Sequence, residues 1–247
     1  MAYSCRPRVL WETVAGCSAV SAGCANCYAA RAMATWNRNE PNRGGLAVLN
    51  PGGAPKWTGD VRLIRQRFPL SPDNEPAMVY CNLMADTFHE RVPFEHVDWI
   101  VDTAERNPRH VFQILTRRAE RMGDYCASRA APLPHNLWMG VSIETRDYLW
   151  RAERLRGCGA AVRFISLEPL LEDLGGVNLN GIGLVMVGLE CGPGARHGEH
   201  DWVRGVVAQC RAASVPVMVE QLRGIDDSRQ HWPHDLRCDE WPEEVSV

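Results

Sequence analysis

The sequence predicts an α/β fold, arranged as a partial or complete parallel (β/α) barrel of about six to seven βα units. Short apolar runs recur from residue 77 onward, and stretches with apolar residues at helical spacing separate them. Each run is continuously apolar, which is typical of parallel strands that are covered on both faces. Because such units follow one another along the chain, a barrel is favoured over a doubly wound sheet.

The elements follow in chain order. An early run, RVLWETV at 8–14, predicts the first strand. Six later runs predict further strands: AMVYCNLMAD (77–86), HVFQILT (110–116), NLWMGVSIE (136–144), VRFISLEP (162–169), GLVMVGLE (183–190) and VPVMVEQL (215–222). Helical spacing marks four stretches between them: VDWIVDTAERNP, RAERMGDYCASRA, RDYLWRAERLRGCG and DWVRGVVAQCRAAS. We therefore expect one barrel domain over residues 1–247, a length that single barrels reach.

Two segments fall outside this rhythm. Residues 36–76 are rich in Gly, Pro and Asn, and they predict a long excursion on the barrel rather than a separate domain. The tail 223–247 is mostly polar and contains tryptophan, and we expect it to form a strap across one face.

Composition narrows the functional classes. The net charge of −3 argues against nucleic-acid binding by bulk charge, while a local basic groove stays open. The N-terminal segment lacks the apolar region of a signal peptide, and no apolar run approaches the roughly 20 residues that span a bilayer. Seven scattered cysteines suit reduced, buried thiols: Cys5, Cys81, Cys126, Cys158, Cys191, Cys210 and Cys238. We expect a cytoplasmic protein with no membrane contact.

Polar side chains end almost every apolar run. In a βα barrel the carboxyl ends of the strands meet at one mouth, where active sites lie. A single polar residue at such a position is as readily a helix cap, but a series of them predicts a polar pocket. The series is Asn82, Asp86, Gln113, Thr116, Arg117, Ser142, Glu144, Ser166, Glu168, Glu190, Glu220 and Gln221.

Three further cysteines follow the first predicted strand with the spacing C-x6-C-x2-C: Cys17, Cys24 and Cys27. A zinc site requires a fourth ligand, for which His197 and His200 are candidates, and C-x2-C also occurs in redox pairs. Three unrelated core thiols are disfavoured because the loop is rich in Gly and Ser. An iron–sulfur cluster is favoured, since three thiolates leave one iron of a [4Fe–4S] cubane open to a further ligand.

With these motifs in place, the chain resembles the radical S-adenosylmethionine (SAM) superfamily, which joins a partial βα barrel to a three-cysteine loop after strand one. That loop usually reads C-x3-C-x2-C before an aromatic residue; here the first gap is six residues, and Tyr28 is the aromatic. More closely, the chain resembles a phage and bacterial family of three-cysteine, radical-SAM-like proteins. The matching pieces, from residue 11 to about 222, are W-x-T-V-x-G-C, G-C-x-N-C-Y-A, MADTFHERVP, QILTRRAERM, WMGVSIE, RFISLEPLL, VGLECGPGAR and DWVRGVVAQCRAASVPVMVEQ.

The resemblance implies two cofactors, a [4Fe–4S] cluster on Cys17, Cys24 and Cys27, and SAM on the fourth iron. One electron, from a donor such as flavodoxin or ferredoxin, would cleave SAM into methionine and a 5′-deoxyadenosyl radical that abstracts a hydrogen atom. The cofactor performs the difficult chemistry, and the protein orients and shields it. We expect the longer gap to reshape the loop without changing which cysteines bind.

The resemblance also implies which strand ends meet SAM. Asn82, and with it Asp86, would contact the SAM amino group. Ser142 and Glu144 would meet the ribose or methionyl part, and Tyr28 would lie beside the adenine.

Later strand ends would face the substrate, so the resemblance makes Glu168, Glu190 and Gln221 catalytic candidates, with helix capping or support of a neighbouring side chain as the alternative for each. Arg117 would bind a carboxylate of SAM or of the substrate. We expect His89 near the pocket. CGPGAR at 191–196 is a weak candidate for a phosphate loop.

Occurrence of the resembling family in phages implies modification of a nucleobase, such as isomerisation of a hypermodified pyrimidine in phage DNA. The expected partner is then DNA or a modified nucleotide, and the location is the host cytoplasm if a phage encodes the chain. An extruded nucleotide needs few basic contacts. Six basic residues would either supply these contacts or form a solvated basic face: Arg38, Arg43, Lys56, Arg62, Arg65 and Arg67.

Two other functions stay open at this point. One is a zinc-stabilised barrel hydrolase in which carboxylates at the mouth act as acid and base. The other is a non-catalytic binding protein whose cluster or zinc ion only holds the loop together.

Overall fold

The computed structural model describes residues 3–71, 73–222 and 229–243. Its helices are α1 (Tyr28–Ala34), α2 (Phe94–Glu105), α3 (Ala119–Ser128), α4 (Trp150–Arg156) and α5 (His200–Ala212). Its strands are β1 (Arg8–Trp11), β2 (Val14–Ala15), β3 (Ala47–Leu49), β4 (Pro55–Trp57), β5 (Arg62–Leu63), β6 (Met78–Cys81), β7 (Val111–Thr116), β8 (Leu137–Ser142), β9 (Arg163–Leu170), β10 (Leu184–Leu189) and β11 (Val217–Gln221).

Seven strands form one all-parallel sheet that curls into a half-barrel, in the order β1–β6–β7–β8–β9–β10–β11. Each predicted apolar run coincides with one of these strands to within a few residues, which confirms the predicted parallel βα architecture. Strands β1 and β11 are the two edges of this sheet, so the barrel is partial rather than complete. The link between β9 and β10 contains no helix within residues 171–183, so this unit departs from the predicted βα rhythm.

The two faces of the sheet bury different clusters. On the outer face, alternate strand residues such as Ile114, Val141 and Ile165 belong to the main hydrophobic core, together with the apolar stripes of the helices. On the inner face, Trp138 and Phe164 belong to a smaller cluster near the amino ends of the strands. This smaller cluster closes the floor of the half-barrel.

A glycine gives the floor its shape. A Cβ atom at Gly140 would lie 2.3 Å from the ring of Phe164, so the absence of a side chain on β8 lets this ring lie across the strand. Phe164 thereby fills the centre of the floor, and the space above it stays open toward the carboxyl ends of the strands.

The predicted excursion folds onto the amino-terminal part of the chain. Strands β3 and β4 pair as an antiparallel hairpin, and β5 pairs with β2. A third hydrophobic cluster, which includes Met33 of α1, Leu46 and Trp57, joins α1 to this hairpin. The segment thus builds one wall beside the cysteine loop.

Part of the predicted C-terminal strap lies outside the described residues, namely 223–228 and 244–247. The part that is described runs beside β11, where Val219 N–H donates to Cys238 O over 3.0 Å and Glu240 N–H donates to Val217 O over 3.1 Å. These bonds pair the tail with the edge of the sheet, and a strap across a whole face stays a prediction.

None of the ten cysteines is in a disulfide. The expectation of buried thiols is wrong for Cys5 and Cys191, which are exposed. Within the described part of the chain, no helix is both long and apolar enough to cross a bilayer.

Candidate functional site

One cavity of about 570 Å³ lies at the carboxyl ends of the parallel strands, on the inner face of the half-barrel. Cys17, Cys24 and Cys27 all line it. The predicted strand-end residues share its wall, with Glu144 as the exception: Asn82, Asp86, Gln113, Thr116, Arg117, Ser142, Ser166, Glu168, Glu190, Glu220 and Gln221. The structure therefore brings the cysteine motif and the polar series to one place.

The cysteine loop has a local conformation that its glycines permit. Gly16 has a φ of +91°, and a Cβ atom there would lie 2.1 Å from Asp60 O, so the turn before Cys17 requires glycine. A 3₁₀ turn at Ala22–Cys24 presents Cys24, and Cys27 is the N-cap residue of α1. The three thiols are half-buried, so they are accessible from the cavity.

Arg118 holds the first part of this loop, although the sequence indicates only its neighbour at position 117. Its Nη1 donates to Cys17 Sγ over 3.6 Å and to Asp86 Oδ2 over 2.9 Å. Its Nη2 donates to Ser18 Oγ over 2.7 Å and to Ser18 O over 3.2 Å. Burial, and then the charge of Asp86, raises the pKa of the Cys17 thiol to about 12, and the buried guanidinium of Arg118 opposes part of this rise.

Asp86 uses both carboxylate oxygens to position its neighbours. Oδ1 accepts from Phe88 N over 2.9 Å and from Thr116 Oγ1 over 2.6 Å, and Oδ2 accepts from Arg117 N over 3.2 Å as well as from Arg118. The carboxylate therefore orients Arg118 rather than offering a free oxygen to the cavity. The contact with the SAM amino group that the resemblance implies for Asp86 stays a prediction.

Asn82 lines the cavity, and its side chain binds the backbone just before the cysteine loop. Its φ of 57° is left-handed, a conformation that asparagine tolerates better than most residues. Its Oδ1 accepts from Thr13 N, Thr13 Oγ1 and Val14 N at 2.6, 3.1 and 2.9 Å, and its Nδ2 donates to Thr87 Oγ1 over 2.9 Å. The described residues give this amide nitrogen one acceptor for its two N–H groups.

Glu144 lies beneath the loop, outside the cavity wall on which the sequence places it. Its carboxylate is fully buried, and Oε1 accepts from Ser21 Oγ over 2.7 Å and from Arg117 Nε over 2.5 Å. Oε2 accepts from Arg151 Nη1 over 3.0 Å. A Cβ atom at Gly23 would lie 2.6 Å from Oε1, so the loop packs directly on this carboxylate. Glu144 thus anchors the loop and Arg117.

Glu190 forms a third anchor through Arg196, the last residue of CGPGAR. Arg196 N and Nε donate to Glu190 Oε2 over 2.8 and 2.9 Å, and Nη2 donates to Oε1 over 2.5 Å. Arg196 Nη1 donates to Ala22 O over 2.9 Å. The segment predicted as a weak phosphate loop thus supplies a paired arginine that holds the cysteine loop.

Glu168 and Glu220 differ from these paired carboxylates. Glu168 Oε2 accepts from Ser166 Oγ over 2.9 Å, while the main-chain oxygen of Glu168 accepts from Arg117 Nη2 over 3.0 Å. Burial, and then the charge of Glu220, raises the pKa of Glu168 to about 7. Gln221 donates to Leu189 O over 2.8 Å, so its amide supports β10 while it lines the cavity.

The remaining predicted residues lie at the rim or away from it. Tyr28 is 60% exposed and donates to Leu83 O over 3.1 Å at the cavity edge. His89 is buried, and its Nε2 lies 3.0 Å from Ser18 Oγ, close to the pocket as the sequence predicts. His197, a candidate zinc ligand, is 74% exposed and pairs with Glu199.

The placement of the possible metal ligands distinguishes a site for one metal ion from a site for a cluster. In the described ranges, no group of three or more His, Cys, Asp or Glu side chains is placed to hold one metal ion. A cubane does not require that convergence, because each of its thiolates binds a different iron. Thiolates are also the ligands that iron–sulfur clusters select.

The basic residues of the excursion face outward. Five of the six are exposed, and Arg43 is half-buried. Arg62 donates to Pro41 O over 3.3 Å, which is a contact within the excursion itself. Outward placement agrees with either a solvated basic face or a surface contact with nucleic acid.

Comparison with known protein families matches residues 7–234 to a family described as a protein of unknown function (DUF5131). The chain belongs to this family. The match spans every residue that lines the cavity, from Arg8 to Gln221. No curated protein and no solved structure matches the chain. Because the family description assigns no activity, the chemistry of the cavity is the guide to function.

Proposed function

We propose that the chain is a radical SAM enzyme that uses a [4Fe–4S] cluster and SAM to modify or isomerise a nucleobase-linked substrate. The observation that carries the proposal is the convergence of three free cysteines and a series of strand-end polar residues on one cavity. The half-barrel, with the cysteine loop after its first strand, is the architecture that the resemblance implies. The proposal includes a radical-SAM-like half-barrel and a C-terminal strap across one of its faces.

The residues of the loop fit a cluster. Cys17, Cys24 and Cys27 would bind three irons, and Arg118 would donate to Cys17 Sγ, a contact that stabilises negative charge on sulfur. When bound there, the cluster would supply the electron that cleaves SAM into methionine and a 5′-deoxyadenosyl radical. Hydrogen bonds to sulfur are one way in which a protein sets the potential of such a centre.

Residues of this chain would hold SAM and keep water out. Tyr28 lies at the rim next to Cys27, where its ring is free to cover an adenine. The Ser142 hydroxyl is buried on the cavity wall without a hydrogen-bond partner among the described residues, so it is open to SAM or to the substrate. Arg117, fixed by Glu144, presents a guanidinium that would bind a carboxylate.

The substrate would occupy the remaining wall. Glu168 and Gln221 line the cavity and would face the substrate, whereas Glu190 would act through Arg196 on the loop. A nucleobase-linked substrate agrees with an apolar floor that contains Phe164 and with the exposed arginines of the excursion. Flavodoxin or ferredoxin would serve as electron donor, in the cytoplasm.

The test is anaerobic purification followed by reconstitution with iron and sulfide. We expect a brown protein that dithionite bleaches, with iron bound, and cleavage of SAM to 5′-deoxyadenosine under reducing conditions. Cys17→Ser, Cys24→Ser and Cys27→Ser should each lose the chromophore, whereas Cys5→Ser, at an exposed thiol, should keep it. The outcome that contradicts the proposal is a colourless protein with stoichiometric zinc, or a brown protein that leaves SAM intact.

A further inference from the structure

Two half-buried carboxylates on the cavity wall lack the counter-charges that Asp86, Glu144 and Glu190 have. Asp86, Glu144 and Glu190 each pair with an arginine. Glu168 and Glu220, at the ends of β9 and β11, form no ion pair within the described part of the chain, although both line the cavity. Glu168 receives one hydrogen bond, from Ser166, and Glu220 accepts none from the described residues.

The charges near this pair do not neutralise it. The nearest guanidinium, of Arg117, donates to the main-chain oxygen of Glu168 and to Glu144 Oε1 instead. Arg8 also lines the cavity, from β1, but it is exposed and stacks near Trp241. Both carboxylates are half-buried, and two negative charges on one cavity wall without a cationic partner among the described residues favour a positively charged ligand.

A second observation indicates a ligand at this wall. Ser142 is 1% exposed, and its Oγ has no hydrogen-bond partner among the described residues, although buried hydroxyls nearly always have one. Ser142 lies opposite Ser166 in the β8–β9 register, and the Ser166 hydroxyl donates to Glu168. An unsatisfied hydroxyl and two unpaired carboxylates thus line the same cavity.

We propose that Glu168 and Glu220 form a subsite for a positively charged nitrogen, so that the substrate carries a protonated amine. The amine would donate to both carboxylates, with charge-assisted hydrogen bonds that are stronger than neutral ones. The apolar floor, with Phe164 and Met186, would take the uncharged body of the substrate. This inference rests on the proposed function, because it treats the cavity beside the cysteine loop as the substrate site.

The test uses the reconstituted, SAM-saturated protein with 2-phenylethylamine as probe and 2-phenylethanol as its neutral counterpart, each titrated by calorimetry at pH 8. We expect the amine to bind about ten-fold tighter or more than the alcohol, as a charge-assisted bond would give. Glu168→Gln and Glu220→Gln should each reduce this preference, and the double variant should abolish it. Glu172→Gln, just beyond β9, is the matched control and should keep it.

Three results would overturn the inference: equal binding of amine and alcohol by the wild type, a preference that survives in the folded double variant, or amine binding to the SAM-free protein that is lost when SAM is added. The last result would assign the two carboxylates to SAM itself. Near-ultraviolet circular dichroism establishes that each variant is folded. Bound iron and 5′-deoxyadenosine, measured on the same samples, report separately on the proposed function.

Discussion

Replacement of Glu144 by glutamine should cost more stability than any surface change, because it leaves buried guanidinium charge uncompensated. Glu144 is fully buried, and its two oxygens pair with Arg117 and Arg151. Arg151 is itself only 2% exposed, so water cannot replace the lost charge. Removal of one partner from a buried pair typically costs about 3–5 kcal/mol. We expect Glu144→Gln to lower the free energy of unfolding by an amount in that range.

Urea denaturation of the iron-free protein measures this loss, since the contacts of Glu144 belong to the chain alone. Glu153→Gln is the matched control, because Glu153 is 66% exposed in its pair with Arg156. A surface pair contributes about 0–1 kcal/mol, so this variant should unfold almost like the wild type. Equal losses for the two variants would refute the assignment of Glu144 as a buried anchor.

Three further predictions concern pH, loop packing and the cluster. Burial raises the pKa of Glu12 from 4.5 to about 7, so the folded state holds this proton more tightly and stability falls as pH rises between these values. One pH unit corresponds to about 1.4 kcal/mol. In urea denaturation, the free energy of unfolding of Glu12→Gln should equal that of the wild type near pH 4.5 and exceed it by about 3 kcal/mol at pH 8. A difference that stays constant with pH would contradict this. Gly23→Ala should displace the loop from Glu144 and lower iron retention, whereas Gly205→Ala, in open space, should not. Arg118→Met should make the cluster potential more negative in an EPR titration, and an unchanged potential would count against the contact with Cys17.

The sheet could be predicted from the sequence because buried parallel strands are continuously apolar. Every predicted run coincides with a strand to within a few residues, and the polar residues that end the runs line the cavity, since parallel strands bring their carboxyl ends together. The sequence did not predict whether the barrel closes. Whether β1 and β11 pair depends on the curvature of the whole sheet, which no local pattern encodes. The helix-free link 171–183 did carry a local signal, since its Gly and Asn residues disfavour a helix.

The roles of individual charges were harder to predict. Arg117 and Arg118 are adjacent and chemically identical, yet only Arg118 donates to Cys17. Glu144 follows Ser142 by two residues and therefore suggests the same face, but the chain has left β8 by then and the carboxylate turns beneath the loop. Such roles depend on partners more than 20 residues away in sequence, which no local pattern encodes.

The long gap between Cys17 and Cys24 has a physical explanation in these distant partners. The gap contributes three anchor points: two accept from arginines that a carboxylate holds, and the third donates to a carboxylate directly. Ser18 accepts from Arg118, the Ser21 hydroxyl donates to Glu144, and Ala22 O accepts from Arg196. A three-residue gap lacks the length to reach all three, so the additional residues let the rim of the half-barrel fix the loop through buried charge. The positions of the cysteines then depend on Asp86, Glu144 and Glu190 as much as on the spacing of the motif itself.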